Sequence, residues 1–291
     1  MMKSPSYQFE KMSVITNFSL KALQTKINAC WFEGYATIEQ QRCITGFTIV
    51  YLFYKRILGV DIPLGWISYV LATIYHETAR TMKPIAEYGK GAGKPYGVPD
   101  PVTGNTYYGR GYVQLTWKEN YGRAEKVVKS LTTLEQVPFV SYPDLAMDPI
   151  YAAQIAINGM VYGWFTGKKL SDFITPEVTD YVSARKIING TDKAELIASY
   201  AEEAEIAINL AEGHPVLRNV LSIGSKGDDV RELQLILGEL PDGHFGTNTQ
   251  SKLISFQKLN SISQDGICGQ ETWRVINENV YLIDNGRLLV R

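Results

Sequence analysis

The stretch "LGWISYVLATIYHET", Leu64 to Thr78, decides the fold class of the larger part of this 291-residue chain. Its apolar residues recur at i, i+3, i+4 and i+7, which is the spacing of one stripe along an α-helix. The stripe consists of Ile67, Val70, Leu71 and Ile74. Pro63 and Gly65 punctuate the pattern, so a helix is predicted to begin near Gly65. A similar period runs back to residue 20, which predicts a mainly helical region.

Glu77 lies on the flank of this stripe, close to the end of the predicted helix. It follows Val70 by seven residues, so at about 100° per residue its carboxyl group should be partly withdrawn from water. The helix dipole disfavours a negative charge at that end. Both effects raise the pKa of a carboxyl group, as a general acid working near neutral pH requires. The alternative is a carboxylate that ends its helix in solvent beside Arg80.

Beyond Glu77 the composition changes and then changes back. Residues 83–111 are rich in glycine, proline, tyrosine and aspartate in irregular order, which predicts loops and short hairpin strands. Helical periodicity returns over residues 121–130, 150–165 and 193–212. Gly213, with Pro215 after it, is a strong helix stop and predicts a domain boundary.

The last part of the chain contains a short internal repeat. "DGHFGTNT", Asp242 to Thr249, and "DGICGQET", Asp265 to Thr272, lie 23 residues apart and share Asp-Gly-x-x-Gly-x-x-Thr. Each Asp-Gly pair is a turn signal, and an apolar helical pattern follows each block. Upstream, a third amphipathic helix is predicted to begin near Asp228. The patterns predict a unit of three short helices.

The composition excludes several classes of protein. A net charge of −1 with mixed signs offers no basic surface, so no nucleic-acid partner is expected. Three widely spaced cysteines and three histidines indicate neither a disulfide framework nor a metal site, and no cofactor is expected. The uncharged runs at 43–54 and 62–76 are too short to span a membrane, so we expect buried helices and no membrane insertion. The first residues show no apolar signal-peptide core, so synthesis in the cytoplasm is expected.

Two segments resemble glycoside hydrolase family 19, the chitinase-like hydrolases that include many bacteriophage endolysins. "YHETARTMKPIAEYGKGAGKPYG", from Tyr75, and "TGNTYYGRGYVQLTWKENYGRA", from Thr103, match the family's "HET" and "YYGRGxxQLS/TxxxNY" signatures. Further on, "YPDLAMDPIYAAQIAINGMVYGWFTG" and "ARKIINGT" are similar to two later family motifs. The resemblance covers about residues 16–212 and implies a lysozyme-like α+β domain, mainly α with a small β-hairpin region.

Residue by residue, the resemblance implies a two-carboxylate mechanism. Glu77 would be the general acid, Glu87 the general base, and Thr116 would help orient the nucleophilic water. The family inverts the anomeric configuration, which requires carboxyl groups about 6.5 to 9.5 Å apart. Amides, hydroxyls and aromatic rings are the groups that hold sugars in a cleft. The implied substrate-binding residues are His76, Tyr108, Gln114, Asn120, Tyr121 and Asn189.

Some of these roles have alternatives. Glu87 follows Glu77 by ten residues, a shorter spacing than in plant chitinases and one like that of the phage endolysins. Asp100 is the nearest substitute base, and Glu119 is a weaker candidate. Arg110, between two glycines, either touches sugar or ties its loop to a core carboxylate. Structural roles are also open for His76 and Asn189.

The C-terminal repeat resembles the type 1 peptidoglycan-binding domain. Residues 217–276 match its pattern "GxxGxxVxxLQxxL", followed by "DGxFGxxTxxAVxxFQ" and "DGxxGxxTW". This resemblance implies peptidoglycan as the partner of the module. It is also the reason to prefer peptidoglycan over chitin as the substrate, because the catalytic signature fits both.

The predicted organisation is an N-terminal extension (1–15), a catalytic domain (16–212), a linker (213–216), a peptidoglycan-binding domain (217–280) and a tail (281–291). We expect a monomeric, muramidase-like endolysin that reaches the wall through a holin-type pore or after lysis. Tethering to the insoluble wall would raise the local substrate concentration. An endochitinase and a non-catalytic wall-binding protein are the alternatives.

Overall fold

The computed structural model describes residues 18–214 and 216–284, and its mainly α architecture confirms the predicted fold class. The predicted extension at 1–15, Pro215 and residues 285–291 of the predicted tail lie outside the described residues. In chain order the helices are α1 (Leu20–Phe32), α2 (Ile38–Leu52), α3 (Leu64–Glu77), α4 (Lys118–Val127), α5 (Pro149–Tyr162), α6 (Tyr181–Ala184), α7 (Ala194–Ala211), α8 (Asp228–Ile236), α9 (Thr247–Leu259) and α10 (Gln270–Asp284).

Short helical turns and bridges complete the secondary structure. A π-helical turn, Phe53–Ile57, continues α2. The 3₁₀ turns are Pro95–Gly97, Pro143–Met147, Leu170–Asp172 and Arg185–Ile187. Over residues 18–214 and 216–284, β pairing is limited to isolated antiparallel bridges, such as the one between Arg110 and Leu115. The predicted hairpin region is therefore built from turns around such bridges.

The described chain divides into two compact units. One, which we call the site unit, holds residues 37–205, and the other, the split unit, holds the segments on either side. The split unit thus groups α1 with α8, α9 and α10. The domain boundaries given in the sequence analysis were placed by motif similarity, and they remain predictions.

Helix α3 forms the centre of the site unit. It begins at Leu64, as predicted, but it is buried all round from Ile67 to Tyr75 instead of along one stripe. Its hydroxyl groups are satisfied within the helix, since Thr73 Oγ1 donates to the Tyr69 carbonyl at 2.8 Å. Helices α2 and α3 both pack against α5. None of the helices in the described residues is both long and apolar enough to cross a membrane.

The internal repeat is visible as two identical hydrogen-bond networks in the split unit. Gln234 Nε2 donates to Asp242 Oδ1 at 2.7 Å and to Thr249 Oγ1 at 3.3 Å, while Gln234 Oε1 accepts from the Gly243 amide at 2.9 Å. The same three bonds recur 23 residues later with Gln257 at their centre. Both glutamines are 1% exposed, so each Asp-Gly turn is fixed to its helix by a satisfied buried amide.

Helix α1 packs into the split unit through a buried charge network. Lys26 Nζ lies 2.7 Å from Asp229 Oδ1 and 3.2 Å from Glu232 Oε2, and Arg218 Nη2 lies 2.7 Å from the same Glu232 oxygen. The side chains of Lys26, Arg218 and Glu232 are at most 7% exposed. At the other end of α1, a Cβ atom on Gly34 would lie 2.2 Å from the Pro241 ring. The helix therefore belongs to the folded core of this unit.

Candidate active site

The chain turns sharply directly after Glu77, the last residue of α3. Thr78 Oγ1 donates to the Ile74 carbonyl at 2.7 Å and accepts from the Met82 amide at 2.9 Å. Ala79, Arg80 and Met82 adopt positive φ angles of 49°, 66° and 53°. Such angles are uncommon outside glycine, and they cluster at functional sites. The turn leaves Glu77 at the end of a rigid helix.

Glu77 forms an ion pair with Arg185, a residue that the sequence analysis missed. Its Oε1 contacts Arg185 Nη1, and Arg185 Nε donates to the Asp192 carbonyl at 2.9 Å. The Glu77 side chain is 23% exposed and that of Arg185 only 3%, so Glu77 is partly withdrawn from water as predicted. Arg80, the partner considered from sequence, donates instead to Tyr200 at 3.0 Å.

His76, beside Glu77, is half-buried. Burial lowers the pKa of His76, and the Glu77 carboxylate opposes this shift only in part. The ring is therefore neutral near pH 7, with one nitrogen donor and one acceptor.

Both carboxylate oxygens of Glu87 accept hydrogen bonds. Tyr96 donates to Oε1 at 3.0 Å and the Gly109 amide donates to Oε2 at 3.2 Å. The Glu87 amide in turn donates to the Gly109 carbonyl at 2.8 Å. The bond to Glu87 raises the pKa of Tyr96, because the phenol proton is shared with a carboxylate. Glu87 is thereby held in one orientation, and Tyr96 is a second residue that the sequence analysis missed.

Gly109 is the point where Glu87 meets the polar residues of the second motif. A Cβ atom there would lie 2.6 Å from Gln114 Oε1 and 3.2 Å from Thr116 Oγ1, so no side chain fits without a shift. Thr116 Oγ1 donates to the Gln114 carbonyl at 2.8 Å, and Asn120 Nδ2 donates to the Thr116 carbonyl at 3.0 Å. Four residues of the predicted site are therefore brought together here: Glu87, Gln114, Thr116 and Asn120.

Gln114 also bonds to the chain segment just before Glu87. Its Nε2 donates to the Ile85 carbonyl at 2.7 Å, and its own φ is 53°. The amide nitrogen thus fixes the segment that carries Glu87, while Oε1 faces Gly109.

Arg110 holds the loop together from inside. Its Nε donates to Asp144 Oδ1 at 2.8 Å, its Nη1 donates to Tyr121 at 3.0 Å, and its guanidinium carbon lies 3.5 Å from the centre of the Tyr108 ring. Arg110 is 4% exposed, so its guanidinium makes its contacts inside the fold. The carboxylate differs from the predicted one, because the Asp144 side chain is 84% exposed and not part of the core.

Tyr121 is a positioning residue and not the predicted substrate contact. It is fully buried, and its hydroxyl donates to the Tyr108 carbonyl at 2.8 Å. Burial raises the pKa of Tyr121, so the phenol stays protonated. A side chain without exposed surface cannot touch a ligand in this conformation. Tyr108 is itself 7% exposed, with its ring covered by Arg110.

The structure separates the candidate bases by their chemistry. Lys118, at 2.7 Å, together with the Thr103 and Val102 amides, lowers the pKa of Asp100 to about 2. A carboxylate of such low basicity is a poor general base near neutral pH, which favours Glu87. Glu119 is exposed in the first turn of α4.

Asn189 is exposed in the loop that follows Arg185. Its backbone N–H donates to the Arg185 carbonyl at 3.0 Å. The loop that carries Asn189 is therefore bonded to Arg185, which forms the ion pair with Glu77. No cluster of three or more potential metal-binding side chains was found over residues 18–214 and 216–284.

Comparison with known proteins gives two kinds of similarity. The family described as putative peptidoglycan binding domain matches residues 226–276. The N-acetylmuramoyl-L-alanine amidase CwlM of Mycobacterium tuberculosis is 46% identical over 54 residues, which are 16% of this chain and 13% of that protein. The shared part is thus a small fraction of that relative.

Solved chitinase structures are also similar to the chain. Chitinase C from Streptomyces griseus matches with a TM-score of 0.36 and 19% identity, over 69% of this chain and 94% of that one. A bacterial family 19 chitinase matches with a TM-score of 0.31 and 19% identity, over 73% and 96% of the two chains.

Proposed function

We propose that this protein hydrolyses the glycan strands of bacterial peptidoglycan, as a muramidase-like endolysin, and that its split unit holds it on the wall. The arrangement at Gly109 carries the proposal, because it holds Glu87 by both oxygens beside the Thr116 hydroxyl. The peptidoglycan-binding match at 226–276 supports the wall as the target. The family 19 signatures in the site unit support glycosidic bonds as the bonds that are cut.

The mechanism follows from the two carboxyl groups. Glu77 gives its proton to the glycosidic oxygen as the bond to the anomeric carbon breaks. Glu87 takes a proton from the water that attacks this carbon from the opposite face, and Thr116 orients that water. Glu77 then carries a negative charge, which the Arg185 guanidinium stabilises.

Substitution of the carboxyl groups tests the enzymatic part. Glu77→Gln or Glu87→Gln should lower the clearing of purified cell walls by about 100- to 10,000-fold, because each variant lacks one proton-transfer group. Zymography on walls measures the effect, with Glu119→Gln as the control because Glu119 is exposed. Undiminished clearing by Glu77→Gln would exclude Glu77 as the general acid. No clearing by the wild type would exclude the enzymatic function and leave a wall-binding protein.

Product analysis identifies the bond. Mass spectrometry of muropeptides should find a reducing-end N-acetylmuramic acid, and NMR of the first product should find the α-anomer that inversion yields from a β-linked glycan. A reducing-end N-acetylglucosamine would identify a glucosaminidase, and release of peptide from intact glycan would identify an amidase. Cleavage of chitin oligomers without cleavage of walls would favour the endochitinase.

The route to the wall belongs to the same proposal. We place synthesis in the cytoplasm of a phage-infected cell and release through a holin-type pore or lysis. Cells that express the protein should stay intact until their inner membrane is permeabilised and should then lyse. Lysis without permeabilisation would contradict this route.

A further inference from the structure

Trp117 is unusual both as a helix N-cap residue and in its backbone conformation. It is the N-cap residue of α4, where Ser, Thr, Asp or Asn usually accept a hydrogen bond from the helix, and its side chain forms no capping bond. Its φ of 75° and ψ of 136° belong to a region that large side chains rarely adopt. A bulky residue that keeps such a conformation is retained for a reason other than local folding preference.

Its exposure is also unusual among the tryptophans. Trp117 is 46% exposed, whereas Trp31, Trp164 and Trp273 are at most 8% exposed. Trp66, the remaining one, is partly buried and donates its indole N–H to the Ile174 carbonyl at 2.8 Å. Trp117 is therefore the tryptophan with the largest open surface.

Four contacts connect Trp117 to Glu87 by way of Tyr96. The Trp117 amide donates to the Tyr107 carbonyl at 2.9 Å, and the Tyr107 amide donates to the Tyr96 carbonyl at 3.0 Å. The Tyr96 and Trp117 rings meet edge to face, with centroids 5.0 Å apart and an interplanar angle of 80°. Tyr96 is also the residue that donates to Glu87. One phenol thus supports both the indole and the candidate base.

We infer that Trp117 is a sugar-binding residue whose indole face stacks on a pyranose ring of the glycan beside Glu87. This inference rests on the proposed function, and it deepens it by naming a substrate contact. Pyranose rings present C–H groups on one face, which pack against the negative face of an aromatic ring. A flat, half-open indole that is fixed by its backbone and by Tyr96 binds such a ring at little cost in side-chain entropy. The strained backbone then serves to direct the indole.

Hydrolysis of soluble peptidoglycan glycan fragments by full-length variants tests this role. Trp117→Leu should raise KM by about 3- to 10-fold, the loss expected for one aromatic stacking contact, with kcat nearly unchanged. Trp117→Tyr restores an aromatic face and should stay within about threefold of the wild type. The Tm of both variants is recorded, because a merely structural residue would lower Tm without separating leucine from tyrosine.

A third variant guards against failure to fold. Glycine adopts positive φ without strain, so Trp117→Gly suits this backbone and should give folded protein with the same rise in KM. In a Glu77→Gln background, addition of glycan fragments should quench or shift the tryptophan fluorescence, and Trp117→Tyr should remove most of that signal.

The outcomes separate this inference from the function on which it rests. Equal KM values for the wild type, Trp117→Leu and Trp117→Gly would overturn the stacking role and leave the hydrolase assignment intact. An inactive wild type would overturn the hydrolase assignment, and with it this inference.

Discussion

Tyr96 connects Glu87 to Trp117, and its hydroxyl can be removed while its ring is kept. Tyr96→Phe keeps the ring contact with Trp117 but takes one donor from Glu87. A hydrogen bond to a charged group contributes about 1.5 to 3 kcal/mol, so we expect kcat to fall by about tenfold or more while KM changes little. Steady-state kinetics on soluble glycan fragments measure kcat and KM separately. Tyr88→Phe is the matched control, because Tyr88 is fully exposed, and equal kcat values for the two variants would contradict the role of Tyr96.

Gly109 tests the close approach of the two motifs. Gly109→Ala places a methyl group 2.6 Å from Gln114 Oε1, so Gln114 and Thr116 must shift. We expect a loss of about 1 to 3 kcal/mol in the free energy of unfolding and at least tenfold lower activity. Gly122→Ala in α4 is the control, because its Cβ would meet only Val140 at 3.9 Å and alanine favours the helix. Wild-type activity in Gly109→Ala would show that the site tolerates the shift.

Some residues of the site could be predicted from sequence and others could not. Glu77, Glu87 and Thr116 lie in recognisable motifs, so their candidacy required only local sequence. Arg185, the partner of Glu77, and Tyr96, the partner of Glu87, are identified only by their contacts in the structure. Arg185 is 108 residues from Glu77, so local sequence does not connect the two. Tyr121 was assigned to the substrate because it lies in the motif, whereas its burial depends on packing against Tyr107 and Arg110. Motif membership does not distinguish a residue that touches a ligand from one that supports it.

At the scale of elements, the ammonium group of Lys26 holds helix α1 against the rest of the split unit. Lys26→Met removes the cation that lies between Asp229 and Glu232, and it leaves buried carboxylates with less compensation. We expect the split unit to lose about 3 to 5 kcal/mol of stability. Thermal unfolding followed by circular dichroism measures the loss, with the exposed Lys258→Met as the control. Equal Tm values for the two variants would contradict the importance of this network.

The same network predicts a dependence on pH. Burial alone would raise the pKa of Asp229, but the Lys26 ammonium and the Asn219 amide hold it below its usual value. A carboxyl group whose pKa is lowered by folding stabilises the fold above its unfolded pKa, about 3.9, and this contribution is lost as pH falls through the folded value. The Tm of the split unit should therefore decrease as the pH is lowered below about 4. Lys26→Met should show a weaker fall in that range, and parallel curves would contradict the assignment.

The helices themselves could largely be predicted from sequence. The periodic segments at 64–77 and 149–162 and the Gly213 stop were found within a few residues of their places in the structure. The 83–111 segment was expected to contain short strands, but its backbone forms turns fixed by side chains, such as the Asp100 carboxylate on the Thr103 amide. Local sequence also indicated that α1 is a helix without indicating its partner, because its contacts are with residues near the other end of the chain.

At the scale of the whole molecule, the division into two compact units predicts that the split unit folds without the site unit. We expect residues 18–36, joined by a Gly/Ser linker to residues 206–284, to fold cooperatively and to pellet with purified cell walls. Residues 206–284 alone should unfold at a lower temperature, because Asp229 and Glu232 lack Lys26. Calorimetry and pelleting assays measure both properties, and the linked fragment with Lys26→Met is the control. A linked fragment that folds but stays in the supernatant would contradict the wall-binding role.

The pairing of Lys26 with Asp229 also has a consequence for synthesis on the ribosome. The two residues are 203 positions apart, so α1 leaves the ribosome long before the helices that cover it. Residues 37–205 can complete their own core first, since domains generally fold as units during translation. The split unit closes only when the last helices have emerged. A chain released by a premature stop codon after the site unit would thus carry α1 with its core face uncovered, and we expect such a product to be cut by proteases faster than the full-length chain.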